Sequence, residues 1–155
     1  MPSAQAPSAM ITIRPATAAD QKTIQAIIRL VQINPMDLKW PNFVLAVDQA
    51  TGAIVGTAQI KRHGDGSPEL ASIATVPSHR RQGIAQRLIN HLLAQHPGRL
   101  YLTCLETMGP FYEQFGFRTI SADEMTPYFR RLSRIAGALN FANKEGRRLL
   151  VMQRN

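Results

Sequence analysis

The sequence predicts a mixed α/β fold: an antiparallel meander of strands, then one β–α–β unit, then an antiparallel finish. Three observations carry this expectation. Runs rich in apolar and β-branched residues at 43–47, 53–62 and 69–76 are separated by the turn signals Thr51-Gly52 and Gly64-Asp65-Gly66. A run of helical period, with Ile84, Leu88, Leu92 and Leu93 on one stripe, follows the third run. A further apolar run at 99–105 comes next, and two strands joined through a helix pair in parallel.

The remaining elements follow in order. Residues 10–14 read as a strand ended by Pro15. Asp20 is of the type that caps a helix. Ile24, Ile27, Ile28 and Val31 then recur at helical spacing. That helix is expected to end before Asn34-Pro35, because a residue preceding proline avoids the α region. A turn or short helix through Trp40-Pro41 leads into the meander, and Pro97-Gly98 ends the central helix. Pro110 to Phe115 reads as a short helix stopped by Gly116, and 117–120 as a strand. A helix is expected over 126–141, with Phe129, Leu132, Ala136 and Leu139 on one face and Arg130, Arg131 and Arg134 on the other. Gly146 turns the chain into a last strand at 149–153.

The chain has 155 residues, 45% hydrophobic and 18% charged, values expected of one globular domain over residues 10–155. No apolar run has the length of a membrane span. Residues 1–9 are Pro-, Ser- and Ala-rich and read as a disordered tail rather than a signal peptide. The single cysteine, Cys104, excludes an internal disulfide framework and fits a cytoplasmic protein. His63, His79, His91 and His96 are scattered, with no metal-ligand spacing. The net charge of +8 suits either nucleic acid or a polyanionic small molecule. The basic residues concentrate at 80–87 and 130–148, with no aromatic-interleaved stripe for stacking bases, which argues against nucleic acid as the main partner.

The sharpest local signal is Arg80-Arg81-Gln82-Gly83-Ile84-Ala85, between a strand and a helix. Such a loop aims backbone N–H groups at one point and adds the partial positive charge of a helix N-terminus, a ready site for a diphosphate. Gly83 allows close approach, and Ala85 keeps the first helical turn small. Ile73-Ala74-Thr75-Val76-Pro77-Ser78-His79 leads into the loop, and Pro110-Phe111-Tyr112-Glu113-Gln114-Phe115-Gly116-Phe117 lies about thirty residues beyond it. The segment Ile11-Thr12-Ile13-Arg14-Pro15-Ala16-Thr17-Ala18-Ala19-Asp20 stands at the front. This combination, over residues 10–154, resembles the GNAT superfamily of acetyl-CoA-dependent N-acetyltransferases.

The resemblance implies a GNAT-like acyl-CoA N-acyltransferase fold with acetyl-CoA as co-substrate and no metal. It implies direct transfer to a primary amine of a small molecule, peptide or protein, through a tetrahedral intermediate. Main-chain groups of Ile73, Ala74 and Thr75 would pair with the pantetheine arm. Amides of Arg81, Gln82, Gly83, Ile84, Ala85 and Gln86, with Arg80 beside them, would hold the pyrophosphate. Tyr112 would stand beside the thioester sulfur as general acid. A phenol near 10 and a thiol near 8.5 make full proton transfer uphill by about 2 kcal/mol. Glu69, six residues before Thr75, is the candidate base; Glu106 is its rival and Glu113 a weaker one.

Three positions depart from the family pattern. Thr75 stands where Val is usual, a mild change because the contact is main-chain. Leu105 replaces an Asn seven residues before the tyrosine, with Thr103 or Thr107 as substitutes. The basic helix at 126–141 replaces a near-direct strand connection; it could close over the acceptor, its arginines favouring a carboxylate or phosphate. Cys104 reads as a strand-end thiol rather than an acyl carrier. A CoA-binding sensor without catalysis, and a basic nucleic-acid binder, are the rival readings. Acyl chains longer than acetyl, and homodimerisation, are left open by the sequence.

Overall fold

The structure, a computed structural model, describes residues 10–142 and 148–155. The expected tail at 1–9 and the turn at Gly146 lie outside the described residues. In chain order the elements are β1 (Ile11–Pro15), α1 (Gln21–Val31), β2 (Phe43–Asp48), β3 (Ala53–Arg62), β4 (Pro68–Thr75), α2 (Ile84–Gln95), β5 (Leu100–Leu105), α3 (Gly109–Glu113), β6 (Arg118–Thr119), α4 (Pro127–Ala142) and β7 (Leu149–Arg154). Short 3-10 turns precede α1, β2, α2, α3 and α4. The seven strands form a mixed sheet in the order β1-β2-β3-β4-β5-β7-β6.

The chain falls into two compact units, the first ending at Ile60 and resuming over Ser72–His96, the second formed by Lys61–Ala71 and the residues from Pro97 onward. Strands β3 and β4 contribute to both. In the first unit, β2 pairs antiparallel with β1 and with β3, the latter as expected of the first two strands of the meander. Every residue of β2 is buried, because helices cover both of its faces. Phe43 and Leu45 join Ile24, Ile27 and Ile28 of α1 in one core cluster. On the opposite face Ala46 pairs with Gly56, where a Cβ would sit 2.8 Å from Ile84 Cγ2 of α2. Glycine at 56 is what lets that helix lie close to the sheet.

The second unit is built on β7, antiparallel to both β5 and β6. The parallel pairing of β4 with β5 is present, with Glu69 opposite Tyr101. Helix α4 seals this part of the sheet: Phe129 is fully buried among Tyr101, Ile120, Met125 and Val151.

Several details differ from expectation. Strand β1 includes Pro15, tolerated because β1 is an edge strand and needs no second ladder bond there. Asp20 makes no side-chain cap to α1. Its carboxylate is taken by Arg14 Nη1 at 2.8 Å and by the Thr17 amide at 2.7 Å, closing a capping box one turn earlier. The buried stripe of α2 is Ile84, Leu88, Ile89 and Leu92, with Leu93 only half-buried. On α4 the apolar face runs out early. Leu132 packs on the core cluster, whereas Leu139 is 66% exposed, because the cluster reaches only the first turns of the helix.

Candidate functional site

The first unit carries the loop that the sequence marks as a candidate anion site. Strand β4 ends at Thr75, the Val76 amide bonds to the Val55 carbonyl, and a 3-10 turn over Pro77–His79 follows. This turn is pinned from behind. His79 Nε2 lies 2.9 Å from Asp48 Oδ2, and Ser78 Oγ lies 2.8 Å from His79 Nδ1. With Nε2–H donating to the carboxylate, Nδ1 accepts from the serine. The His79 contact and the Ala50 amide hold the Asp48 carboxyl below its ordinary range.

Beyond the turn the backbone enters the left-handed region twice, at Arg81 (φ +64°) and Gly83 (φ +75°), and Ile84 opens α2. Residues 80–83 are exposed. No side chain caps α2, and its first backbone bond runs from the Arg87 amide to the Gly83 carbonyl. The amides of Ile84, Ala85 and Gln86 therefore sit in the first turn, where a helix has no acceptor of its own to offer them. A Cβ on Gly83 would meet only Gln86 Oε1, at 3.8 Å, so the space above the glycine is open. Alternating left-handed residues, an uncapped helix start and flanking arginines fit a diphosphate.

Strand β4 carries a kink that sequence reading missed. Ser72, mid-strand, has φ +57°, a conformation that costs a non-glycine residue about 1 kcal/mol. Two side chains of β3 fix it: Thr57 Oγ1 donates to the Ser72 carbonyl at 2.8 Å, and Gln59 Nε2 to Ser72 Oγ at 2.7 Å. Both Thr57 and Gln59 are fully buried. Directly after the kink, Ala74 points into the core while Ile73 and Thr75 stay half-buried on the other side.

The second unit holds the other candidates. Tyr112 of α3 is half-buried, edge-on to Phe111 and Phe117. Burial, and then the neighbouring Cys104, push its phenol up to about 12. Cys104 is a half-buried β5 thiol, itself raised by burial and 3.8 Å from Met152 Sδ. Leu105, Glu106, Thr107 and Glu113 are exposed, and Thr103 is half-buried.

Glu69 is not the solvated carboxylate its place at a strand start suggests. It is 6% exposed, and its Oε1 accepts from His63 Nε2 at 2.6 Å. The His63 ring stacks on Tyr128 of α4 with centroids 3.5 Å apart and meets Phe129 edge-on. The start of α4 is tied down by Asp65, whose carboxylate accepts from the Tyr128 amide at 2.9 Å and from Ser67. These bonds, Ser67's first, hold the Asp65 carboxyl well below its ordinary range. Of the α4 arginines, Arg130 is committed to the Ala122 and Met125 carbonyls, leaving Arg131 and Arg134 exposed. His63 escaped the sequence reading because its partner depends on hairpin register rather than spacing.

The model of the acetyltransferase (GNAT) domain matches residues 39–119, the stretch from β2 through the cradle to β6. The chain belongs to the GNAT acetyltransferase family. Its fold is shared by N-acetylglutamate synthase from Neisseria gonorrhoeae, solved with coenzyme A and N-acetyl-glutamate, at 22% identity and TM-score 0.72. That match covers 94% of this chain and 35% of the synthase, so the GNAT chain spans about a third of that protein. A Mycobacterium tuberculosis protein solved with CoA matches at 18% identity and TM-score 0.66, covering 92% of this chain and 98% of its own. Escherichia coli ElaA matches at 16% identity and TM-score 0.65, covering 94% and 100%. No curated protein matches the chain. Among the described residues no cluster of His, Cys, Asp or Glu could hold a metal, and no helix is long and apolar enough to cross a membrane.

Proposed function

We propose that this GNAT chain moves the acetyl group of acetyl-CoA directly to a primary amine. The observation that carries the proposal is the cradle: two left-handed residues leading into a helix start that no side chain caps. The amides of residues 81–86 would hold the diphosphate, with Arg80 and Arg81 offsetting its charge. Main-chain groups of Ile73, Ala74 and Thr75, set by the kink at Ser72, would align the pantetheine arm as an added strand.

The chemistry then asks for two proton movements. The amine nitrogen bonds to the thioester carbonyl carbon and the C–S bond breaks. As the C–N bond forms, the nitrogen's protons become acidic, and the Glu69 carboxylate accepts one. The departing thiolate takes a hydrogen bond from Tyr112. A phenol near 12 lies about 3.5 units above a thiol near 8.5. Full transfer would be uphill by about 5 kcal/mol, so Tyr112 serves as a donor that steadies the sulfur rather than as the final proton source.

The test is release of free CoA from acetyl-CoA across a panel of primary amines, with Glu69→Gln alongside. Base catalysis of this kind contributes roughly 10²–10⁴-fold. A loss of kcat in that range with acetyl-CoA affinity kept supports the roles; an unchanged kcat removes Glu69 from the mechanism.

A further inference from the structure

Helix α3 is five residues long and no side chain caps its start. A helix of that length does not hold its own shape, yet it carries Tyr112. One face of β7 supplies the hold. Side chains alternate along a strand, so Leu150, Met152 and Arg154 project to the same side. Leu150 meets the start of α3, where a Cβ on Gly109 would lie 3.2 Å from Leu150 Cδ1. Met152 is fully buried, its Sδ 3.8 Å from Cys104 Sγ, and Cys104 lies near enough to Tyr112 to act on its phenol. Arg154 closes the far end. Its Nε donates to the Phe115 carbonyl at 2.8 Å, and its side chain lies across Gly116, where a Cβ would be 3.4 Å from Nε and 3.7 Å from Cγ. The Phe115 amide donates to the Tyr112 carbonyl at 3.0 Å, so a bonded path runs from Arg154 to the tyrosine backbone. Gly116, at φ +88°, then turns the chain so that the buried Phe117 meets the Tyr112 ring edge-on. Among the described residues Arg154 has no carboxylate partner, and its side chain bonds only to this carbonyl.

We infer that Arg154 is a positioning residue for Tyr112: its Nε–H, on the Phe115 carbonyl, sets where α3 stops along β7 and so where the phenol stands relative to the departing sulfur. This inference rests on the acetyltransferase reading and on Tyr112 as the donor to the thiolate. The donor's position matters here, not the guanidinium charge. Glutamine carries its amide nitrogen the same number of bonds from Cα as arginine carries Nε, whereas methionine has a methyl there. The two substitutions therefore keep or remove the donor at nearly constant shape. Misplacing a reacting group by about 1 Å costs up to about 10²-fold in rate. A loss that arises this way cannot exceed the loss from deleting the phenol hydroxyl itself.

The experiment compares the wild type, Arg154→Met and Arg154→Gln, each with Tyr112 and with Tyr112→Phe, in CoA release from acetyl-CoA with a primary amine that the wild type acetylates. Arg154→Met should lower kcat about fivefold or more, with KM for acetyl-CoA within about twofold, and Arg154→Gln should restore most of the loss. In the Tyr112→Phe background Arg154→Met should cost nothing further. Gly116→Ala reaches the same bond by another route, its methyl crowding Arg154 Nε, and should show the same dependence on Tyr112. A second readout needs no acceptor. Burial pushes the Tyr112 phenol up to about 12. Loosening α3 in Arg154→Met should let it titrate about one unit or more lower, toward the ordinary value near 10, in ultraviolet difference titration against Tyr112→Phe. Arg154→Gln should leave it in place. An unmoved phenol in Arg154→Met, or an equal kcat loss with and without the Tyr112 hydroxyl, overturns the inference while leaving acetyl transfer standing. No CoA release with any amine, from protein that binds acetyl-CoA, overturns the acetyltransferase reading itself, and the titration alone then decides whether Arg154 holds Tyr112.

Discussion

Replacing Gly83 with alanine separates a binding cradle from an ordinary strand-to-helix turn. The residue sits at φ +75°, and a methyl there would have its nearest neighbour, Gln86 Oε1, 3.8 Å away. The substitution therefore creates no clash and costs only the left-handed penalty, about 1 kcal/mol. In a chain of this size that lowers Tm by about 2–4 °C. Gly52, in the β2–β3 turn, is the matched control: its φ is +73° and nothing lies within 4 Å of the same methyl. Gly52→Ala should lose similar stability. The two must part in ligand binding. A methyl at position 83 would occupy the space a diphosphate needs to reach the amides, and losing one charge-assisted hydrogen bond worth about 2 kcal/mol weakens binding about thirtyfold. Calorimetric titration with coenzyme A should show that weakening for Gly83→Ala and none for Gly52→Ala. Equal CoA affinity in the two variants would refute the reasoning.

Other expectations are independent of that one. Tyr112→Phe should lower kcat about 10- to 100-fold, the worth of one hydrogen bond to a developing thiolate, with CoA affinity within twofold of the wild type. Because burial lifts Tyr112 to about 12, its deprotonation should produce no fall in kcat below about pH 10. Asp20, held by Arg14 and the Thr17 amide at about 2 against an ordinary 3.8, contributes about 1–2 kcal/mol, discounted for its solvent-facing partner. Since its folded value is the lower one, that contribution is complete above about pH 4 and disappears as pH falls through 2. Asp20→Asn should therefore narrow the difference in Tm between pH 7 and pH 3.

What could be read from the chain was what repeats along it. The apolar runs of β2 and β3, the stripe of α2 and the Arg81–Gly83 turn announce themselves through local pattern and residue type, so the antiparallel strands, the parallel pair and a tight turn ahead of α2 were all expected. What escaped depends on pairing across the fold. Ser72 looks like any polar strand residue; its left-handed backbone comes from Thr57 and Gln59 on the neighbouring strand. The Asp48–His79 latch joins residues 31 apart. Glu69 could be read as a candidate base from its place on the strand, but not its burial, which comes from hairpin closure and from α4 packing on His63. Leu139 kept the helical period of a buried stripe but lies beyond the surface that could cover it.

In the proposed reaction, main-chain amides near Gly83 grip the diphosphate of the co-substrate. The most direct measurement compares thermal shift and calorimetry for coenzyme A and for pantetheine, which carries the same thiol arm without the nucleotide diphosphate. Saturable binding and a raised melting temperature are expected with coenzyme A, and far weaker binding with pantetheine; equal responses to the two, or none to either, would contradict a diphosphate grip at Gly83.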